Sequence, residues 1–378
     1  MSKSPPKIGL CCIVKDESKV IERALKSALP LIDYALIVDT GSTDGTQEIM
    51  KKFLSKHKVP HDIIEENWEN FAHNRTSALR HLRKRKDVKY GITLDADEVF
   101  KIPDNFDKAK FAKGLKHDAY RVYCEFGEMS YHRYLIFRNN TDWVYRGVVH
   151  EFLECETKPA SIGDNYDIKL KIFTDGNRSK DEDKYKKDAE ILRKALDEEE
   201  DPFMKSRYTF YTAQSYKDCG NNEKAIEYYS RRTSLGYWSQ EIFESYYSIA
   251  KIKRSINTSV GEVVEDCLLA FKSTENRLEA IHEIVNLYRL SERYRAGYEI
   301  GKNYLDFEIP KDSLFLRPDI YQWRFDDEVS VCAYWAGHYK HSLKLCKKVL
   351  ASPFLPEREK ERVKANLKFA EDAIPPSA

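Results

Sequence analysis

The stretch Tyr90–Phe100, YGITLDADEVF, decides how this chain is read. An apolar run, Ile92-Thr93-Leu94, ends in Asp95-Ala96-Asp97, with Glu98 behind it. Side chains two apart on a strand point the same way, so Asp95 and Asp97 are expected to aim their carboxylates at one point just past a strand end. Two hard oxygen ligands on so short a spacing suit Mg²⁺ or Mn²⁺, which keep positions open for water and substrate phosphates. In open α/β sheets, ligands sit at the carboxyl ends of strands. The same residues also fit a solvated acidic turn, so the flanking sequence has to decide.

Upstream, apolar runs alternate with amphipathic ones. Lys7 to Val14 reads as a strand, and Lys15 to Ser18 as the loop at its end. Ile21, Ala24, Leu25 and Ala28 fall at helical spacing and stop near Pro30. Tyr34 to Val38 is a second strand, with Asp39 to Thr46 as its loop; Gly41 and Gly45 permit tight turning there. His61 to Glu65 is a third short strand, and Asn70 to Arg85 a basic helix. This alternation predicts an α/β domain with a parallel or mixed sheet and helices on both faces. Right-handed crossovers would bring Asp16, Asp39, Asn67 and Asp95 to one rim. After Phe100 the pattern changes: Ala119 to Phe126 and Tyr131 to Arg138 read as an antiparallel hairpin around Gly127. The run Trp143 to Glu151 follows, then a last strand, Asp167 to Phe173, ending at Thr174-Asp175-Gly176.

The length of 378 residues predicts two domains. With 42% hydrophobic and 33% charged residues, the chain has material for a real core. Lys+Arg 63 against Asp+Glu 62 leaves +1, which supplies no basic field for nucleic acid. The 8 cysteines form no C-x-x-C pair and are too sparse for a disulfide scaffold, so reduced thiols and a cytoplasmic location are expected. The N-terminus reads as a buried strand rather than a signal peptide, and no transmembrane segment is expected.

Five segments together resemble the inverting family 2 glycosyltransferases of the GT-A fold. They are IVKDES (Ile13 to Ser18), VDTGSTDGT (Val38 to Thr46), FAHNRTSAL (Phe71 to Leu79), LDADE (Leu94 to Glu98) and GVVHE (Gly147 to Glu151). The resemblance implies a Rossmann-like GT-A domain, a nucleotide-sugar donor (UDP-glucose or UDP-N-acetylglucosamine as the default UDP-sugar) and Mn²⁺ or Mg²⁺. It implies that Asp97 ligates the metal directly, while Asp95, with Ala96, touches the metal, its waters or the ribose. His150 is the candidate third ligand, and Asp175 the alternative, because relatives often carry a histidine where Thr174-Asp175-Gly176 stands here. Asp39 is implied to grip the nucleoside, with Val14, Lys15 and Glu17 lining the base pocket. Arg75 could pair with diphosphate or with the Asp95 region, a planar bidentate role that suits arginine. An inverting enzyme needs a carboxylate base at the acceptor. Glu151 is the first candidate and Glu128, in the hairpin turn, the second.

From Pro202 onward the sequence is helical and tyrosine-rich. The string SYKDCGNNEKAIEYYSRR matches the tetratricopeptide (TPR) template of about 34 residues, and weaker units follow around Val263 to Ala270, Leu278 to Tyr304 and Ala333 to Leu350. The expected organisation is a GT-A domain at 1–176, a solvated connecting helix at 177–201 and an all-α TPR-like domain at 202–378. Stacked repeats commonly hold a peptide or partner, so a glycan, lipid-linked glycan or protein acceptor held by the repeats is one expectation. Bracing of the fold, or a homodimer through the helices, is the other. Two further readings compete: a TPR scaffold with a degenerate nucleotide-binding domain, and a sugar nucleotidyltransferase. The first is opposed by intact Asp39, Asp95 and Asp97, and the second by the lack of glycine in IVKDES.

Overall fold

Eight strands form one mixed sheet in the order β3-β2-β1-β4-β7-β6-β10-β5. Its parallel half holds β1 (Lys7–Val14), β2 (Tyr34–Asp39), β3 (His61–Glu65) and β4 (Val88–Thr93). Its other half holds β5 (Glu98–Lys101), β6 (Ala119–Phe126), β7 (Met129–Arg138) and β10 (Ile162–Ile172), with the β6–β7 hairpin at Gly127. A separate ribbon pairs β8 (Trp143–Arg146) with β9 (Phe152–Cys155). The computed structural model describes residues 4–156, 161–274, 276–311 and 313–374; the expected domain ends at 1–3 and 375–378 lie outside them.

The period-2 alternation of the strands builds two cores. Ile8, Leu10, Cys12 and Val14 of β1 and Ala35 and Ile37 of β2 pack under α1 (Ile21–Ala28), α2 (Thr46–Lys56) and α4 (Lys108–Gly114). Leu36 and Val38 point the other way, against Ala78, Leu79 and Leu82 of α3 (Phe71–Arg83) and Trp143 of the ribbon. Gly91 is required by this packing: the Phe137 ring lies where its side chain would stand.

The structure corrects three local expectations. The LDAD carboxylates are not strand residues. β4 stops at Thr93, and Asp95 to Glu98 form a turn closed by Glu98 N–H donating to the Asp95 carbonyl at 3.1 Å. Directly after it, β5 is an unforeseen strand, too short to carry its own periodic signal. The charged stretch read as a solvated connector is α5 (Lys184–Glu198), which buries Ala189, Leu192 and Leu196 and pairs with α6 (Pro202–Asp218).

The contacts divide the chain into Met1–Cys219 and Gly220–Ala378, so both helices flanking residue 201 lie in the first unit. The second unit is all helical: α7 (Asn222–Thr233), α8 (Ser239–Ser255), α9 (Val260–Thr274), α10 (Glu279–Leu290), α11 (Tyr294–Gly301), α12 (Phe325–Trp335), α13 (Tyr339–Ala351) and α14 (Glu357–Asp372). Short turns join α8 to α9, α10 to α11 and α12 to α13 as packed pairs, a TPR-like arrangement. Ala225 and Tyr229 of α7 and Ser342 of α13 are all buried. A fully buried Arg277 ties α8 to α10, donating to Glu244 and to both oxygens of Glu279 at 2.9–3.0 Å.

Candidate active site

The parallel strands β1, β2 and β4 end on one rim, and their loops are stitched together there. Asp16 and Glu17 donate their backbone N–H groups to Ser42 Oγ (2.9 Å) and Thr46 Oγ1 (2.8 Å). Asp16 Oδ1 accepts from Thr43 N at 2.7 Å, with Asp16 itself in the left-handed region at φ 53°. Val14 is buried and its carbonyl accepts from Thr40 N; Lys15 is exposed. The IVKDES and VDTGSTDGT segments therefore form one loop cluster rather than two.

Asp39 closes β2 with no exposed surface. Its Oδ1 accepts from the Gly41 and Ser42 amides at 2.9 and 2.8 Å, while Oδ2 is buried with no partner among the described residues. A buried carboxylate oxygen without a donor is costly, so this oxygen has room for a further hydrogen-bond donor.

Arg75, on α3, holds two carboxylates at once. Nη1 and Nη2 grip Asp95 at 2.7 and 2.9 Å, and Nε donates to Glu151 Oε1 at 2.6 Å. Burial works to raise the Asp95 pKa, but the Arg75 charge outweighs it and the group is held below the usual carboxylate range. Glu98, almost fully buried, accepts from Asp95 N at 2.9 Å and binds Arg133 of β7 through both oxygens at 2.6 and 2.7 Å. Glu98 and Arg133 thus brace the turn, a role that no spacing in the sequence signalled.

Asp97 faces elsewhere. Among the described residues it has no ion pair, and burial first, then the Asp95 charge, raises its pKa. Gly176 lies against it: a Cβ there would stand 2.9 Å from Asp97 Oδ2. Glu17 sits in the same acidic neighbourhood, its carboxylate accepting from Asn177 N at 3.1 Å and its pKa raised to about 7, chiefly by burial. Asp175 is taken up in a two-bond pair with Arg23 at 2.7 Å. Ala96 is buried in the turn.

His150 is not gathered with these carboxylates. Its ring stacks on Tyr211 of α6, 4.1 Å between centroids and 12° between planes. Burial, then the cations Arg207, Arg178 and Lys184, depress its pKa to about 3. Glu128 is exposed in the β6–β7 turn.

The fit to a divalent cation rests on Asp97. Its unpaired carboxylate, in a corner that only glycine leaves open, suits Mg²⁺ or Mn²⁺ held by one protein carboxylate plus waters and substrate oxygens. Among the described residues no group of three His, Cys, Asp or Glu side chains is close enough to enclose a metal.

Residues 10–124 match the family model described as glycosyl transferase family 2. A TPR repeat-containing protein of Synechococcus elongatus is 25% identical over 155 residues, covering 39% of this chain and 35% of the relative, so the chain spans about a third of that protein's length. Among solved structures, MamA overlaps 48% of this chain and 91% of its own (17% identity, TM-score 0.35). S. aureus TarS 1-349 overlaps 77% and 92% (13% identity, TM-score 0.32). Both superpositions are too loose to bear on substrate or partner. The N-terminal part of the chain is a family 2 glycosyltransferase domain. A TPR-like helical domain follows it in the same chain.

Proposed function

We propose that the chain is an inverting, metal-dependent glycosyltransferase that moves a sugar from a UDP-sugar to a hydroxyl of a glycan, lipid-linked glycan or protein. The observation that carries the reading is Asp39. Its unpartnered Oδ2 sits at the carboxyl end of a parallel strand, where a ribose hydroxyl or a base N–H would supply the missing donor. Val14, Lys15 and Glu17 belong to the loop cluster around it.

Arg75 holds Asp95 and Glu151 in fixed relation. Because the contact engages Oε1 of Glu151, Oε2 is left to take the acceptor's hydroxyl proton. Attack from the face opposite the departing diphosphate inverts the anomeric centre. Mn²⁺ or Mg²⁺, bound at Asp97, would act as a Lewis acid on the diphosphate oxygens. The helical unit is assigned to holding the acceptor chain, as helix-pair repeats do elsewhere. All 8 cysteines are free thiols, which supports a reducing, cytoplasmic setting. Among the described residues no helix is long and apolar enough to cross a membrane.

A thermal-shift panel of nucleotide sugars with and without Mn²⁺ tests this. At a hundredfold excess over Kd, a ligand selective for the native state adds ~2.7 kcal/mol, or roughly 5–10 °C in Tm for a domain of this size. A UDP-sugar should give that shift only with Mn²⁺, followed by metal-dependent hydrolysis of the same compound. Absence of any shift across the panel would sink the reading.

A further inference from the structure

The His150–Tyr211 stack joins helix α6 to the loop that carries Glu151. That loop is held in a shape it would not choose alone. His150 adopts φ 55°, a left-handed conformation that non-glycine residues seldom occupy, and Gly147 at φ 111° opens the same bend. From α6, Arg207 Nη2 donates to the His150 carbonyl at 2.8 Å, and its guanidinium lies over the Phe152 and Tyr211 rings at 4.7 and 4.8 Å. At the loop's other side, Arg75 receives the Glu151 carboxylate and ties it to Asp95. A continuous path of contacts therefore runs from Tyr211 and Arg207 through His150 and Glu151 to Arg75 and Asp95.

The charges around His150 argue against a cation there. Arg207 of α6 is bonded to the His150 carbonyl, so a divalent ion beside the ring would meet a guanidinium, and among the described residues no group of three His, Cys, Asp or Glu side chains stands ready to enclose it. We propose that His150 is a positioning residue, an aromatic plug through which α6 sets Glu151 against Arg75, and that it does not ligate the metal. Helix α6, read from sequence as the start of the repeat domain, thereby belongs to the transferase machinery. The inference rests on the transferase reading above for the role of Glu151, but the plug itself can be tested without turnover.

Three variants of the full chain separate the possibilities. His150→Phe keeps the ring and removes both nitrogens. His150→Gly keeps access to positive φ and removes the ring. Tyr211→Leu removes the α6 half of the stack and leaves the imidazole in place. Three measurements apply to each: amide hydrogen exchange across residues 147–152, Mn²⁺ uptake in the presence of UDP, followed by the spin-resonance signal of the free ion, and UDP-N-acetylglucosamine hydrolysis. His150→Phe should keep loop protection within about threefold of the parent, whereas His150→Gly and Tyr211→Leu should lose about tenfold or more. Mn²⁺ affinity should hold in all three. In UDP-N-acetylglucosamine hydrolysis, the two loosened variants should lose kcat with little change in KM. A tenfold loss of Mn²⁺ affinity in His150→Phe with protection retained would make His150 a ligand and overturn the proposal. Unchanged protection in both His150→Gly and Tyr211→Leu would overturn it as well. If the parent chain takes up neither UDP nor Mn²⁺, the transferase reading fails, and the exchange data still decide whether the ring holds the loop.

Discussion

Gly176 stands against Asp97 so closely that a Cβ on the glycine would lie 2.9 Å from Oδ2 and 3.2 Å from the Asp97 Cβ. Its φ of −65° is ordinary, so the constraint is space and not backbone conformation. Gly176→Ala should push the Asp97 carboxylate aside. Overpacking of this kind costs about 1–3 kcal/mol, and if it falls on the site, UDP·Mn²⁺ affinity should drop about tenfold or more. Calorimetric titration of Mn²⁺ and UDP, with Tm as the control for folding, checks this.

Asp39→Asn separates charge from shape. The amide oxygen can still accept from Gly41 and Ser42, but an N–H₂ replaces the unpartnered Oδ2. Stability should change by less than about 1 kcal/mol, because the two retained hydrogen bonds are each of that order. Nucleotide affinity should fall at least about tenfold, since a buried donor would now face the ligand's donor. Equal UDP binding by the parent and Asp39→Asn would contradict the nucleoside role.

Arg75→Met should leave Asp95 and Glu151 facing each other without their common cation. Removing one partner of a buried pair costs about 3–5 kcal/mol. Since Asp95 and Glu151 keep side-chain exposures of 29% and 11%, about 2 kcal/mol or more is the expected loss after solvent screening. Arg75→Lys should recover only part of it, because an ammonium cannot span both carboxylates as the guanidinium does. Urea denaturation of the three proteins provides the comparison.

In the helical unit, His282 of α10 is buried with neither ring nitrogen partnered among the described residues. Burial depresses its pKa to about 4, with Glu283 and Asp319 opposing and Arg324 and Arg317 assisting the shift. The unfolded chain therefore binds a proton between pH 6.5 and 4 that the folded chain refuses. The stability contributed above pH 6.5 is lost as pH falls through that window, by up to about 3 kcal/mol. His282→Leu should flatten this part of the profile. The difference between the two proteins, measured by denaturation from pH 7 to pH 4, isolates the imidazole from the carboxylates that titrate nearby.

Much of the rim was legible from residues alone. Continuous apolar runs at Lys7 to Val14 and Tyr34 to Val38 place β1 and β2, because a strand buried on both faces shows no polar alternation. LDADE, VDTGSTDGT and FAHNRTSAL carry their own local chemistry, so Asp39, Arg75 and Asp95 were visible as candidates. Other features were not, since they depend on partners far along the chain. Glu98 meets Arg133 across 35 residues, Asp97 meets Gly176 and His150 meets Tyr211. The turn at Asp95 to Glu98 also hides from a period-2 reading, because one carboxylate accepting one backbone N–H ends the strand early.

By itself, then, the order of residues determined the sheet with its rim acids, the helical second half and the family of the first domain, all of which follow from local periodicity and short motifs. Only the tertiary structure decided where those acids are placed. It turned Asp95 to Arg75 and Asp97 to an open corner, and it drew α6 to the loop of Glu151. The physical reason is that a carboxylate's role is set by the charge and space around it, and those come from residues brought close by folding.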